Sequence, residues 1–104
     1  MFYGYSNYTS TAFQKKVTIT SSYTTNLSAN GGVSVSVIEA QVGYSKGEKI
    51  TKKEKYEIYV PPYTRREFFQ RDIYTNYIVI SEGKQVGSAK VLTGIDELAR
   101  EYAL

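Results

Sequence analysis

The chain has 104 residues, no Cys and no His, a formal charge of +3 and 41% hydrophobic residues, with Tyr at 11 positions. That length suits one domain with a modest core, and the single β-rich domain expected here spans 1–104. Without Cys or His there is no disulfide framework, no thiolate nucleophile and no sulfur- or imidazole-ligated metal, and no cofactor is expected.

No apolar run approaches the ~18 to 20 residues of a membrane-spanning helix, and MFYGYSNYTS has neither the basic nor the apolar region of a signal peptide, so a soluble chain is expected. Residues 1–12 form a Tyr-rich arm. Phe2, Tyr3, Tyr5 and Tyr8 crowd a stretch with no charged side chain, and packing along a sheet is the expected fate of their rings.

From Phe13 to Ala29, Val17, Ile19, Tyr23 and Leu27 share one face, while Thr18, Thr20, Ser22, Thr24 and Asn26 occupy the other. This period of two marks a strand, and the Thr and Tyr content agrees with it. Ser21 and Thr25 interrupt the apolar face. Asn30-Gly31-Gly32 tolerates positive φ, which predicts a tight hairpin. The return strand would carry Val33, Val35 and Val37, then change phase at Val37-Ile38, where a bulge is expected. Together Val17, Ile19, Tyr23, Leu27, Val33, Val35 and Val37 form a candidate assembly hairpin.

Lys49, Lys52, Lys53 and Lys55 come after Lys46 and are a candidate anion site, although Glu48 and Glu54 dilute the field. A solvated strand edge is the plainer reading, since Lys also discourages edge pairing. Tyr56 to Val60 alternates and stops at Pro61-Pro62. Beyond it, Tyr59, Tyr63, Arg65, Arg66 and Phe69 mix guanidinium with aromatic groups, as protein interfaces and single-strand nucleic-acid platforms do. They are the candidate partner site. Ile73 to Ser81 reads as a strand buried on both faces, turning at Glu82-Gly83-Lys84 into a partner strand from Gln85 to Leu92. In 93–104, Ile95, Leu98, Ala99 and Tyr102 recur at spacings of three and four, which predicts a C-terminal amphipathic helix.

The expected fold is therefore mainly β, an antiparallel sheet or sandwich of about five strands in two hairpins with that one short helix. The scattered carboxylates select no pair, and neither a Gly-x-Ser-x-Gly elbow nor a phosphate loop is present. No enzymatic activity is expected, with an unrecognised hydrolase as the outlying alternative. The Ser/Thr-rich stretch from Val17 to Tyr44, together with the later KYEIYVPPYTRREFF, resembles the strand-rich domain of aerolysin-type (epsilon-toxin-like) pore-forming proteins across residues 13–81. That resemblance implies a bacterial β module acting by self-association or surface binding, with a hairpin able to join an oligomeric membrane barrel. Expected partners are copies of the chain, another protein or a membrane surface. The alternative is a small basic binding or inhibitory protein, bacterial or phage-encoded, that engages a protein or, less readily, a nucleic acid through the Tyr/Arg residues.

Overall fold

A computed structural model describes residues 1–104. Six strands and one helix run in the order β1 (Tyr3–Asn7), β2 (Phe13–Thr24), β3 (Asn26–Ala29), α1 (Val35–Val42), β4 (Lys49–Val60), β5 (Thr64–Ser81) and β6 (Lys84–Ala103). Four strands make one sheet in the order β1-β5-β6-β3, and β2 pairs with β4 in a second. The mainly-β expectation is met, while the strand count, the sheet order and the place of the helix differ from it. By internal packing the chain divides into two compact units, Met1–Ser21 with Lys53–Asp72 and Ile95–Leu104, and Ser22–Lys52 with Ile73–Gly94.

In the first unit, Val17, Ile58, Val60 and Phe68 are buried together, with Phe2, Tyr3, Tyr5 and Tyr56 packed against them. Alternation explains the set: Ile58 and Val60 turn inward on β4 while Glu57 and Tyr59 turn out. Fully burying a side chain such as Phe68 stabilises the fold by about 1.5–3 kcal/mol. Of the N-terminal arm, Phe2, Tyr3 and Tyr5 pack on this core as expected, while Tyr8, beyond the end of β1, is exposed. β1 runs antiparallel to β5 from Tyr3 opposite Phe68 to Asn7 opposite Thr64, and the Phe2 and Tyr3 rings meet edge to face at 5.0 Å. Asn7 is buried, yet its polar atoms are used: Nδ2 donates to the carbonyls of Thr11 and Val60, and Oδ1 accepts from the Thr9 amide and hydroxyl. Buried amides are tolerated on such terms. β4 ends at Pro61-Pro62, and Tyr63 comes next with φ 52°, a left-handed conformation unusual for an aromatic residue. Thr64 Oγ1 donates to the Pro62 carbonyl and the Leu104 amide to that of Tyr63, which pins this corner.

The second unit has its own core of Leu27, Ile38, Val86, Ala89 and Val91. Here the predicted hairpin is corrected. Asn30, Gly31 and Gly32 do form a turn, with both glycines at positive φ and the Val33 amide bonded to the Asn30 carbonyl. The turn leads into the helix α1 and not into a return strand, so Val33, Val35 and Val37 never face Val17, Ile19, Tyr23 and Leu27 across a ladder. The phase change at Val37-Ile38, read in a strand as a bulge, is a helical period in which Val35, Ile38 and Val42 recur at three and four residues and pack on the core. Ser34 opens the helix, and Gly43 closes it at φ 83° with its amide on the Glu39 carbonyl. Ile38 is fully buried because Gly87 makes room: a Cβ at Gly87 would stand 2.5 Å from Ile38 Cδ1.

β3 pairs antiparallel with β6, Asn26 opposite Lys90 to Ala29 opposite Gly87. Thr25, between β2 and β3, exchanges backbone bonds with Gly47 and Glu48. Residues 73–81 are not buried on both faces as expected: Ile78 and Ile80 are 62% and 65% exposed, while Tyr77 and Val79 pack on the core. The hairpin expected at Glu82-Gly83-Lys84 is present with a turn one residue shorter: Glu82 and Gly83, at φ 51° and 76°, make it, and Lys84 already belongs to β6. The predicted C-terminal helix is absent, because 93–103 continues β6. No helix is long and apolar enough to cross a membrane.

Candidate functional site

β5 sorts the residues of the Tyr/Arg cluster by parity. Thr64 and Phe68 are buried, and Arg66 lies on their side, its guanidinium 5.3 Å from the Phe68 ring centre and donating to the Tyr59 carbonyl at 2.7 Å. Arg66 is therefore an internal brace, with Nε buried and unpartnered. Arg65, Glu67, Phe69 and Arg71 alternate with these and face the other way. Of the five predicted partner residues, only Arg65 and Phe69 share this face. Tyr59 is exposed on the outward side of β4, and Tyr63 is exposed in the proline turn.

β6 completes the face in the first unit. Arg71 forms an ion pair with Asp96, and the Arg100 guanidinium lies 5.1 Å from the Phe69 ring centre. Asp96, Leu98, Arg100 and Tyr102 alternate with Ile95, Glu97, Ala99 and Glu101, so they stand on one side of the strand. No layer covers that side: the Arg71 and Asp96 side chains are 58% and 43% exposed, and Leu98 and Tyr102 are 48% and 44% exposed. On the β1 side, Arg65 Nη1 donates to Ser6 Oγ at 3.1 Å. Its guanidinium lies across Gly4, where a Cβ would come within 2.8 Å of Nη2. The result is a sheet face on which Arg65, Arg71 and Arg100 alternate with Phe69, Leu98 and Tyr102, against two carboxylates, Glu67 and Asp96.

Arg71 and Arg100 escape the sequence reading as site residues, and Leu98 and Tyr102 enter it only as the apolar stripe of a helix. A helical period over 93–104 sets Arg100 off that stripe, whereas the alternation Asp96, Leu98, Arg100, Tyr102 lines all four up on one side of a strand.

The local charges are tuned by neighbours. The Arg71 hydrogen bond, and after it that from the Glu97 amide, holds the Asp96 carboxyl below its ordinary value. Burial pushes Glu97 up, a push that attraction to Arg66 partly offsets. Tyr56 is raised by desolvation and then by Glu54, Glu97 and Asp96, and its hydroxyl donates to the Ile95 carbonyl.

The lysines do not form one cluster. On β4, Lys49, Lys53 and Lys55 have the outward parity of Glu57, while Lys52 has the parity of Ile58 and is half-buried. Lys55 joins Lys16, Thr18 and Glu57 around a surface depression of about 450 Å³, where one carboxylate partly neutralises two cations. In the second unit, the Lys90 ammonium stands 4.5 Å from the Tyr74 ring centre and 5.6 Å from that of Tyr23, a cation–π clamp. No three acidic residues gather as metal ligands.

The molecule is thus a mainly-β protein of six strands in two sheets with one short helix. Comparison with models of known protein families finds none that matches, and comparison with curated protein sequences finds no relative.

Proposed function

We propose that this chain is a non-catalytic β-sheet module that works by self-association and by binding to surfaces. The observation that carries the reading is the uncovered face of β5 and β6, on which three arginines alternate with Phe69, Leu98 and Tyr102. Arg and aromatic side chains are enriched where binding energy concentrates, because each combines apolar contact with a directional polar or π interaction. The Phe69–Arg100 stack and the Arg71–Asp96 pair support it further, since they hold long side chains in place before a partner arrives.

The finer reading is a relationship to the strand-rich domain of aerolysin-type pore-forming proteins. It rests on the Ser/Thr-rich β2 and on the proline-terminated β4, and it makes assembly beside a membrane the setting for the same face.

Light scattering across protein concentration, with and without anionic vesicles, tests the function. The wild-type chain is expected to associate with itself and to bind vesicles. The variant Arg65→Ala, Phe69→Ala, Arg100→Ala should weaken one or both by at least about tenfold, the loss expected when interface residues of this kind are removed. A wild-type chain that stays monomeric and ignores vesicles throughout would sink the proposal.

A further inference from the structure

We infer that two copies of this chain join through the free edge of β6, antiparallel and in one register, with Leu98 of each copy opposite Leu98 of the other. The inference rests on the self-association proposed above and names the surface and the geometry.

β3 covers β6 only at Gly87 to Lys90. Beyond Lys90 no strand is hydrogen-bonded to that side of β6, since its two ladder neighbours are β5 and β3. The backbone shows which residues point outward. The Leu104 amide goes to the Tyr63 carbonyl, toward β5. The Ile95 carbonyl takes the Tyr56 hydroxyl, and the Glu97 amide takes Asp96 Oδ1 at 2.8 Å. In an antiparallel strand the N–H and C=O of one residue point to the same side and alternate along the chain, so Glu97, Ala99 and Glu101 offer theirs to the open edge. Proteins usually blunt such an edge with Lys, Pro or a short strand. Within this sheet the outer strands β1 and β3 are short, at five and four residues, and the long strands of the other sheet carry Lys15 and Lys16 on β2 and Lys49, Lys52, Lys53 and Lys55 on β4, whereas Val91 to Ala103 contains neither Lys nor Pro.

Charge selects the occupant and the register. Residues directly opposite in an antiparallel pair point to the same face, so in a two-fold arrangement the residue numbers of each opposed pair add to a fixed even sum. Centring the pair on Glu97 or on Arg100 sets like charges opposite each other, and centring it on Ala99 sets Glu97 against Glu101. Centring on Leu98 sets Asp96 against Arg100 of the second copy, twice, with the leucines in contact between them. These are non-hydrogen-bonded positions, where opposed side chains come closest. On pairing, the Glu97 amide exchanges Asp96 Oδ1 for the Ala99 carbonyl of the second copy, and that oxygen is freed for the second copy's Arg100. Asp96 keeps Arg71 on its other oxygen, so a charge ladder continues across the joint.

Single-cysteine cross-linking tests the register, because the chain has no native Cys. Opposed non-hydrogen-bonded residues have Cα atoms about 4.5 Å apart, within disulfide range. Leu98→Cys is expected to give a covalent dimer under mild oxidation, several-fold more than Ala99→Cys, which has Glu97 opposite. Ala99→Pro removes an outward amide without touching the β5 ladder and should yield a monomer with an unchanged circular dichroism spectrum. Equal cross-linking of the two cysteine variants, or a folded Ala99→Pro that still dimerises, overturns the inference. If the wild-type chain assembles in either case, the broader proposal of self-association stands without this interface. A monomeric wild-type chain removes self-association and this interface together.

Discussion

Two neighbouring carboxylates on β6, Asp96 and Glu97, are driven in opposite directions by their surroundings. Asp96 is held below its ordinary value of 3.8 by the Arg71 hydrogen bond, and Glu97 is raised above 4.5 by burial. A lowered folded-state pKa means that Asp96 stabilises the fold above its unfolded value, and that this contribution is lost as pH falls through the folded one. For Glu97 the sign reverses: its contribution is full below 4.5 and is lost as pH rises through the raised value. Adjacent residues therefore oppose each other on the acid limb. Carboxyl-detected NMR titration should place the Asp96 midpoint below 3.8 and that of Glu97 above 4.5. Arg71→Ala is expected to return Asp96 upward while Glu97, whose shift begins with burial, moves little. An Asp96 that titrates at or above its ordinary value in the wild-type chain would show that the Arg71 pair does not persist in solution.

At the scale of elements, the segments 33–44 and 93–104 exchange the conformations their patterns suggest. Val37 gives a test of the first, because it is 48% exposed on α1 and its substitution leaves the core alone. In a helix the β-branched side chain is confined against the preceding turn, so Val37→Ala should stabilise the fold by about 0.5 kcal/mol. In a strand the same change would destabilise it, which makes the sign of the shift in thermal midpoint the readout. The same contrast separates the legible parts of the sequence from the rest. β2, the Tyr56–Val60 end of β4 and the turn at Glu82-Gly83 can be read because alternation, proline and turn chemistry agree locally. α1 is hidden because Val favours strands and Ser is a poor helix-interior residue, and the two informative marks, the phase change at Ile38 and the Gly43 stop, fit a bulged strand equally well. Segment 93–103 misleads in the other direction. Leu98, Ala99 and Arg100 are good helix formers, yet pairing with β5 satisfies the backbone as a strand while Ile95 is still buried. The candidate face was lost with it, since half of its residues lie on β6.

For the whole molecule, the proposed binding of this +3 chain to a membrane surface makes different demands on the fold from insertion into one. A barrel strand needs apolar residues toward lipid at every second position. Along β2 and into β3 the inward set is Val17, Ile19, Ser21, Tyr23, Thr25 and Leu27, and Ser21 and Thr25 are buried among the others with relative exposures of 8% and 2%. In the folded chain these hydroxyls lie inside protein, Thr25 Oγ1 already without a hydrogen-bond partner; in a barrel both would face hydrocarbon, where each unsatisfied polar group is costly, so the added penalty there falls on Ser21. The return strand of the hairpin is also missing, and making it requires melting α1 and withdrawing Ile38 from a fully buried site, a loss of about 2–5 kcal/mol by analogy with large-to-small core changes. Surface binding needs neither change, since Arg65, Arg71 and Arg100 already face outward. The expected outcome is that the chain co-sediments with anionic vesicles, that binding falls as salt is raised because the attraction is screened, and that trapped dye stays inside. Dye release would mean that residues 33–44 convert from helix to strand at the membrane, and Val35→Pro, at the first helical position, where the ring is tolerated in α1 but would cost a strand its ladder amide, should then suppress release while leaving vesicle binding intact.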